Sequence, residues 1–120
     1  NAGHNPPLLR SCNSQATDSK PHFLQATGIP LGIDAQFSYE QNSIILEPGD
    51  YIVCYTDGVT EAMDPSGEPF GMERLLAVIS DTDEACCAAE IKDKLLQSLV
   101  QFMDERDQYD DITILVARRL

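Results

Sequence analysis

The run Tyr51-Ile52-Val53-Cys54-Tyr55-Thr56 limits most strongly what this chain can fold into. It is uncharged, rich in β-branched and aromatic residues, and apolar on both alternating faces. That pattern predicts a central strand covered on two sides, because a strand with one wet face would alternate with polar residues. Such a strand needs neighbours. Ile112-Thr113-Ile114-Leu115-Val116-Ala117 predicts a strong closing strand. The alternating Gln36-Phe37-Ser38-Tyr39-Glu40 predicts another with one buried face, and Ser43-Ile44-Ile45-Leu46 is expected to continue the sheet. Pro48-Gly49 places proline and glycine where a type II turn wants them, just before the central strand.

Two helices are expected between the two strong strands. The first spans about Gly71 to Ile79, after the surface turn Asp64-Pro65-Ser66-Gly67. The second begins near Asp83, with acids in its first turn suiting the helix dipole. Its residues Ile91, Leu95, Leu99 and Phe102 recur at three- and four-residue steps and form a core stripe. Residues 1–34 are turn-rich, with Asn5-Pro6-Pro7, a polar loop from Ser11 to Lys20, and Gly28-Ile29-Pro30-Leu31-Gly32. Strands and helices together fit an α+β class, and 120 residues suit one small domain or part of a larger one. Neither repeats nor low-complexity tracts interrupt it.

The net charge of −12 sets aside nucleic acid as a partner, since its phosphates would be repelled. Anionic membrane surfaces are disfavoured for the same reason. No basic, apolar leader opens the sequence, so a cytoplasmic location is expected. The first residues, Asn1-Ala2-Gly3-His4, read as the interior of a longer chain. Two readings of the acidity stay open. Most of the acids form a solvated surface, or a few of them converge on a hard cation. Cys12, Cys54, Cys86 and Cys87 show no CxxC spacing. They are expected to be reduced thiols, with Cys86 and Cys87 in a helical stretch and Cys54 inside the apolar strand.

The central strand stops at Asp57-Gly58, and Asp110-Asp111 stands directly before the closing strand. An aspartate just past a buried strand is held firmly, and a glycine after it lets the backbone turn sharply. Each feature alone fits a bland alternative: Asp-Gly is a common turn dipeptide, and paired acids can cap a strand in solvent. Together, two acidic strand ends in one sheet offer oxygen ligands suited to Mg²⁺ or Mn²⁺. A helix-flanked calcium loop starting at Asp57 fails, because Gly, Val, Thr, Glu and Ala follow where alternate acids and a glycine at the sixth position are required.

Around these acids the sequence resembles the bacterial SpoIIE/RsbU-type phosphatases, a branch of the PP2C-like (PPM) family. The matching segments come in order: Asn1 to Leu9 (NAGHNPPLL), Gly28-Ile29-Pro30-Leu31-Gly32, Leu46-Glu47-Pro48-Gly49-Asp50, Tyr55 to Ala62 (YTDGVTEA), Phe70-Gly71, and Asp110-Asp111-Ile112-Thr113. The resemblance implies a β-sandwich flanked by helices, with a two-metal centre of Mn²⁺ or Mg²⁺ at one edge. It implies hydrolysis of phosphoserine or phosphothreonine by a metal-activated water, the metals roughly 3.5–4 Å apart. The protein substrate would be a small anti-anti-sigma (STAS) regulator. By motif match Asp57 and Asp110 would bind metal. Asp111 and Gly58 are further candidates, Asp111 standing where the wider family often has Asn. Asn1, Gly3 and His4 would lie near the site, and no side-chain nucleophile is implied. The family's earlier Gly-Asp…Gly-His-Gly segment, whose Asp bridges both metals, has no match here; Asp18 lacks its context. Residues 1–120 are therefore expected to be the C-terminal part of one phosphatase domain. Two other readings stand beside catalysis: a non-catalytic interaction domain of the same fold, and a piece that is inactive alone and self-associates, for instance as a homodimer, through exposed sheet.

Overall fold

The computed structural model describes residues 1–12, 20–25, 28–83, 86–104, 108 and 110–120. Its strands are β1 (Leu8–Arg10), β2 (His22–Phe23), β3 (Tyr51–Tyr55) and β4 (Ile114–Arg118); its helices are α1 (Asp57–Thr60), α2 (Gly71–Ser80) and α3 (Ala88–Met103). The strands form one antiparallel sheet in the order β2-β1-β3-β4. The register sets Val53 opposite Leu8 on one side and Val116 on the other.

Period-two geometry then sorts β3 into two faces. Tyr51, Val53 and Tyr55 are buried and share a core with Leu8, Leu75, Ile79, Ile91, Leu95 and Leu99. Each such side chain contributes roughly 1.5–3 kcal/mol by leaving water. Tyr51 anchors sheet to helix, its hydroxyl donating to the Ile79 carbonyl at 3.1 Å. Burial pushes the Tyr51 phenol above its usual value, so it stays a donor through the neutral range. On the opposite face Ile52 and Cys54 are only half-buried, and Leu115 is 56% exposed. The two-sided cover expected of β3 is thus a correction: one face is sealed by α2 and α3, the other is partly open.

Two expected strands are absent. Neither 36–40 nor 43–46 forms one, and Ile45 is 81% exposed. Alternation makes a segment competent for a sheet, but a strand exists only with a hydrogen-bonded neighbour, and no described segment pairs with either. The reverse error concerns β1, which sits inside the sheet although residues 1–34 read as turns. The Glu47–Asp50 turn forms as expected, with Asp50 N–H donating to the Glu47 carbonyl at 2.9 Å. The Ser11–Lys20 loop falls largely outside the described residues.

α2 matches its expected span, whereas α3 starts at Ala88 rather than near Asp83. Cys87 has extended backbone and serves as the N-cap, so Cys86 and Cys87 precede the helix instead of lying in it. The Cys87 N–H donates to Glu90 Oε2 at 2.6 Å, and the Cys87 sulfur accepts the Glu90 N–H, closing a capping box. Cys12, Cys54, Cys86 and Cys87 stand outside any disulfide.

The backbone N–H of Cys87 holds the Glu90 carboxyl below its usual range. A lowered folded-state value stabilises above the unfolded value, about 4.5, and that stability is lost as pH falls through the folded value. In melts from about pH 7 down to about pH 3, Glu90→Gln should start lower than the native chain, and the gap should close in acid. A gap that stays constant with pH would remove the capping carboxylate from the account.

Candidate metal centre

β3 and β4 run antiparallel with Tyr55 opposite Ile114, so the end of one and the entrance of the other share a sheet edge. Asp57 opens α1 directly past β3, while Asp110 and Asp111 lie just before β4. The expected Asp-Gly turn is instead the first turn of this short helix.

Thr56 joins the two ends. Its N–H donates to the Thr113 carbonyl at 3.1 Å, continuing the ladder. Its Oγ1 donates to the Asp111 carbonyl at 2.8 Å and accepts the Thr113 N–H at 2.9 Å. Gly58 closes the approach. A Cβ at this position would stand 2.5 Å from the Asp111 carbonyl oxygen and 3.3 Å from that of Asp110. Only a hydrogen fits there.

Each carboxylate is oriented locally. Asp57 Oδ1 accepts the Gly58 N–H at 3.1 Å. Asp110 Oδ1 accepts the Asp111 N–H at 2.7 Å, and the Asp110 carbonyl takes Gln108 Nε2 at 2.7 Å. Asp57, Asp110 and Asp111 are all exposed. The ion pairs among the described residues, Lys92–Asp93 and Lys94–Asp81, involve none of them. Exposed carboxylates on neighbouring segments, with no ion-pair partner among the described residues, are of the kind that suits a hard divalent ion. Among the described residues no three His, Cys, Asp or Glu side chains converge as a metal-holding group.

A second loop reaches the same edge. Asn1 brackets His4 with its side chain, Oδ1 accepting the His4 N–H at 2.9 Å and Nδ2 donating to the His4 carbonyl at 3.1 Å. Gly3 between them has φ +80°, and a Cβ there would meet Pro30 at 2.6 Å, so this turn demands glycine. His4 Nδ1 lies 3.1 Å from the Asn5 carbonyl. A carbonyl can only accept, so in this bond Nδ1 is the donor. Gly3, His4, Asn5 and Asp57 together line a cleft of about 130 Å³.

The sheet edge therefore gathers Asp57, Gly58, Asp110 and Asp111, and the cleft adds Gly3 and His4, with Asn1 one step behind. Thr56 escaped the sequence reading. Its one signal was a hydroxyl ending an otherwise apolar strand.

The family model for stage II sporulation protein E (SpoIIE) matches residues 1–120. The chain is 34% identical to protein IcfG of Synechocystis sp. over 119 residues, covering 99% of this chain and 18% of that protein. It is 34% identical to phosphoserine phosphatase RsbU of Bacillus subtilis over 122 residues, covering 98% of this chain and 33% of that protein. The chain thus spans a third or less of the length of these two relatives. The SiaA-PP2C domain of Pseudomonas aeruginosa superposes with a TM-score of 0.73 at 21% identity, covering 96% of this chain and 43% of the other. That likeness establishes the PP2C fold, of which this chain forms a part. The chain belongs to the SpoIIE family.

Proposed function

We propose that this chain forms part of the catalytic domain of a metal-dependent protein phosphatase acting on phosphoserine or phosphothreonine. The observation that carries the reading is the approach of the Asp57–Gly58 and Asp110–Asp111 backbone segments at one sheet edge, held there by the Thr56 hydrogen bonds and the close contact at Gly58. A relative named as a phosphoserine phosphatase supports it. Asp57 and Asp110 would hold Mn²⁺ or Mg²⁺, with the Asp111 carboxylate and the Gly58 carbonyl as additional oxygen donors. When bound, the cation supplies Lewis-acid polarisation of the phosphoryl oxygens and an acidified water. Two carboxylates do not fill such a shell. The remaining ligand is assigned to the part of the domain that these 120 residues do not span. Asn1, Gly3 and His4 shape the cleft beside Asp57, where the phosphoester would sit. The substrate is read as a STAS-type regulatory protein and the location as cytoplasmic; no helix among the described residues is long and apolar enough to cross a membrane.

The test is metal removal. Phosphate release from a phosphoserine protein by the full-length protein should vanish in EDTA and return with Mn²⁺. Absence of Mn²⁺-dependent release from any phosphoprotein or aryl phosphate would sink the proposal. One observation favours a second reading, a non-catalytic binding domain: the lack of three converging metal-holding side chains among the described residues. That reading expects partner binding without turnover.

A further inference from the structure

We infer that Thr56 is a positioning residue for the metal pair, its hydroxyl fixing the separation of Asp57 and the Asp110–Asp111 segment. The inference rests on the reading that Asp57 and Asp110 hold the cation. Thr56 stands at the N-cap of α1, where threonine ordinarily turns its hydroxyl onto the free N–H groups of the first helical turn. Here it makes no side-chain cap bond. The hydroxyl reaches across the sheet instead, donating to the Asp111 carbonyl and accepting from the Thr113 N–H. The Gly58 N–H is served by Asp57 itself. One oxygen is thus used as donor and acceptor on either side of Ile112, directly after the Asp110–Asp111 segment.

The geometry gives this bond leverage. The ladder between β3 and β4 reaches Tyr55 with Ile114, and one further backbone bond joins Thr56 to Thr113. Beyond that, Asp110 and Asp111 have left the strand. The Thr56 hydroxyl is the contact that extends the strand's rigidity to Asp111. Gly58, two residues on, packs against the same carbonyl, so separation and approach are set by two residues that flank Asp57 itself. Valine keeps the shape of threonine but cannot make either bond. Serine makes both.

The experiment measures Mn²⁺ affinity by electron paramagnetic resonance, and separately kcat and KM on a phosphoserine peptide. It uses full-length protein carrying Thr56→Val, Thr56→Ser or Asp57→Ala. Partners that orient metal ligands typically change affinity by about 10–100-fold. Thr56→Val should weaken Mn²⁺ by about ten-fold or more, and Thr56→Ser should restore it to within about three-fold. If Thr56→Val fails to fold, Thr56→Ala removes the same two bonds from a half-exposed site and replaces it. Native Mn²⁺ affinity in a folded Thr56→Val or Thr56→Ala protein overturns the inference, as does a Thr56→Ser protein no better than the valine variant. Asp57→Ala separates the two levels: if it leaves Mn²⁺ binding intact, the metal reading itself fails, whatever Thr56 does.

Discussion

Asp57→Asn in the full-length protein should reduce metal-dependent phosphate release by about a thousand-fold while leaving the fold intact. The substitution is isosteric, and the amide oxygen can still accept the Gly58 N–H that orients the native carboxylate. What disappears is the charge. Metal ions stabilise developing charge on a phosphoryl group by several kcal/mol, and each 1.36 kcal/mol is a factor of ten in rate. Stability should move the other way. Asp57 is exposed, and removing one acid from a chain of net charge −12 eases its overall self-repulsion. The expected signature is therefore an unchanged or slightly raised melting temperature in metal-free buffer, together with lost turnover when metal is supplied. Activity retained to within ten-fold would remove Asp57 from the mechanism.

Gly58→Ala should destabilise the protein by about 1–3 kcal/mol, the usual cost of forcing a methyl into a filled space. Helix propensity argues the opposite, since alanine is favoured over glycine by up to about 1 kcal/mol in a helix interior. α1 has only four residues, however, so that gain is small. The clash is with a backbone carbonyl at 2.5 Å, which cannot rotate aside as a side chain would. The methyl must push the Asp111 segment away, lengthening the Thr56 bond and separating the acids. Urea denaturation measures the loss, and an alanine variant more stable than the native protein would contradict the close-approach account. Phosphatase activity should fall as well, although both carboxylates remain.

The parts of this molecule legible in the sequence are those whose cause is local. α2 begins where Phe70-Gly71 suggested, and Ile91, Leu95 and Leu99 bury as their spacing required. Asp57 and Asp110 were visible because an acid beside an apolar run is visible. The misread strands share one physical origin. A strand is defined by its partner, so Leu8–Arg10 became one by pairing with Tyr51–Val53, far along the chain, while 36–40 and 43–46 met no neighbour among the described residues. The Thr56 contact was hidden for the same reason, because both its side-chain partners lie more than fifty residues away. Side-chain alternation states what a residue can tolerate; only tertiary structure states what it touches.

The β3–β4 pairing has a consequence for the order of events. The stretch between Asp57 and Asp110 contains both long helices, so the acids come together only after that loop has closed and its entropy has been lost. The Asn1–His4 bracket, by contrast, is made within four residues and needs no such closure. An unfolded chain would therefore offer the bracket but no paired carboxylates, and a cation held by that pair would bind the native state alone. At a hundred times its dissociation constant, such an ion would add about 2.7 kcal/mol to native stability. Metal supply would then act as a thermodynamic lock on the register of the last strand.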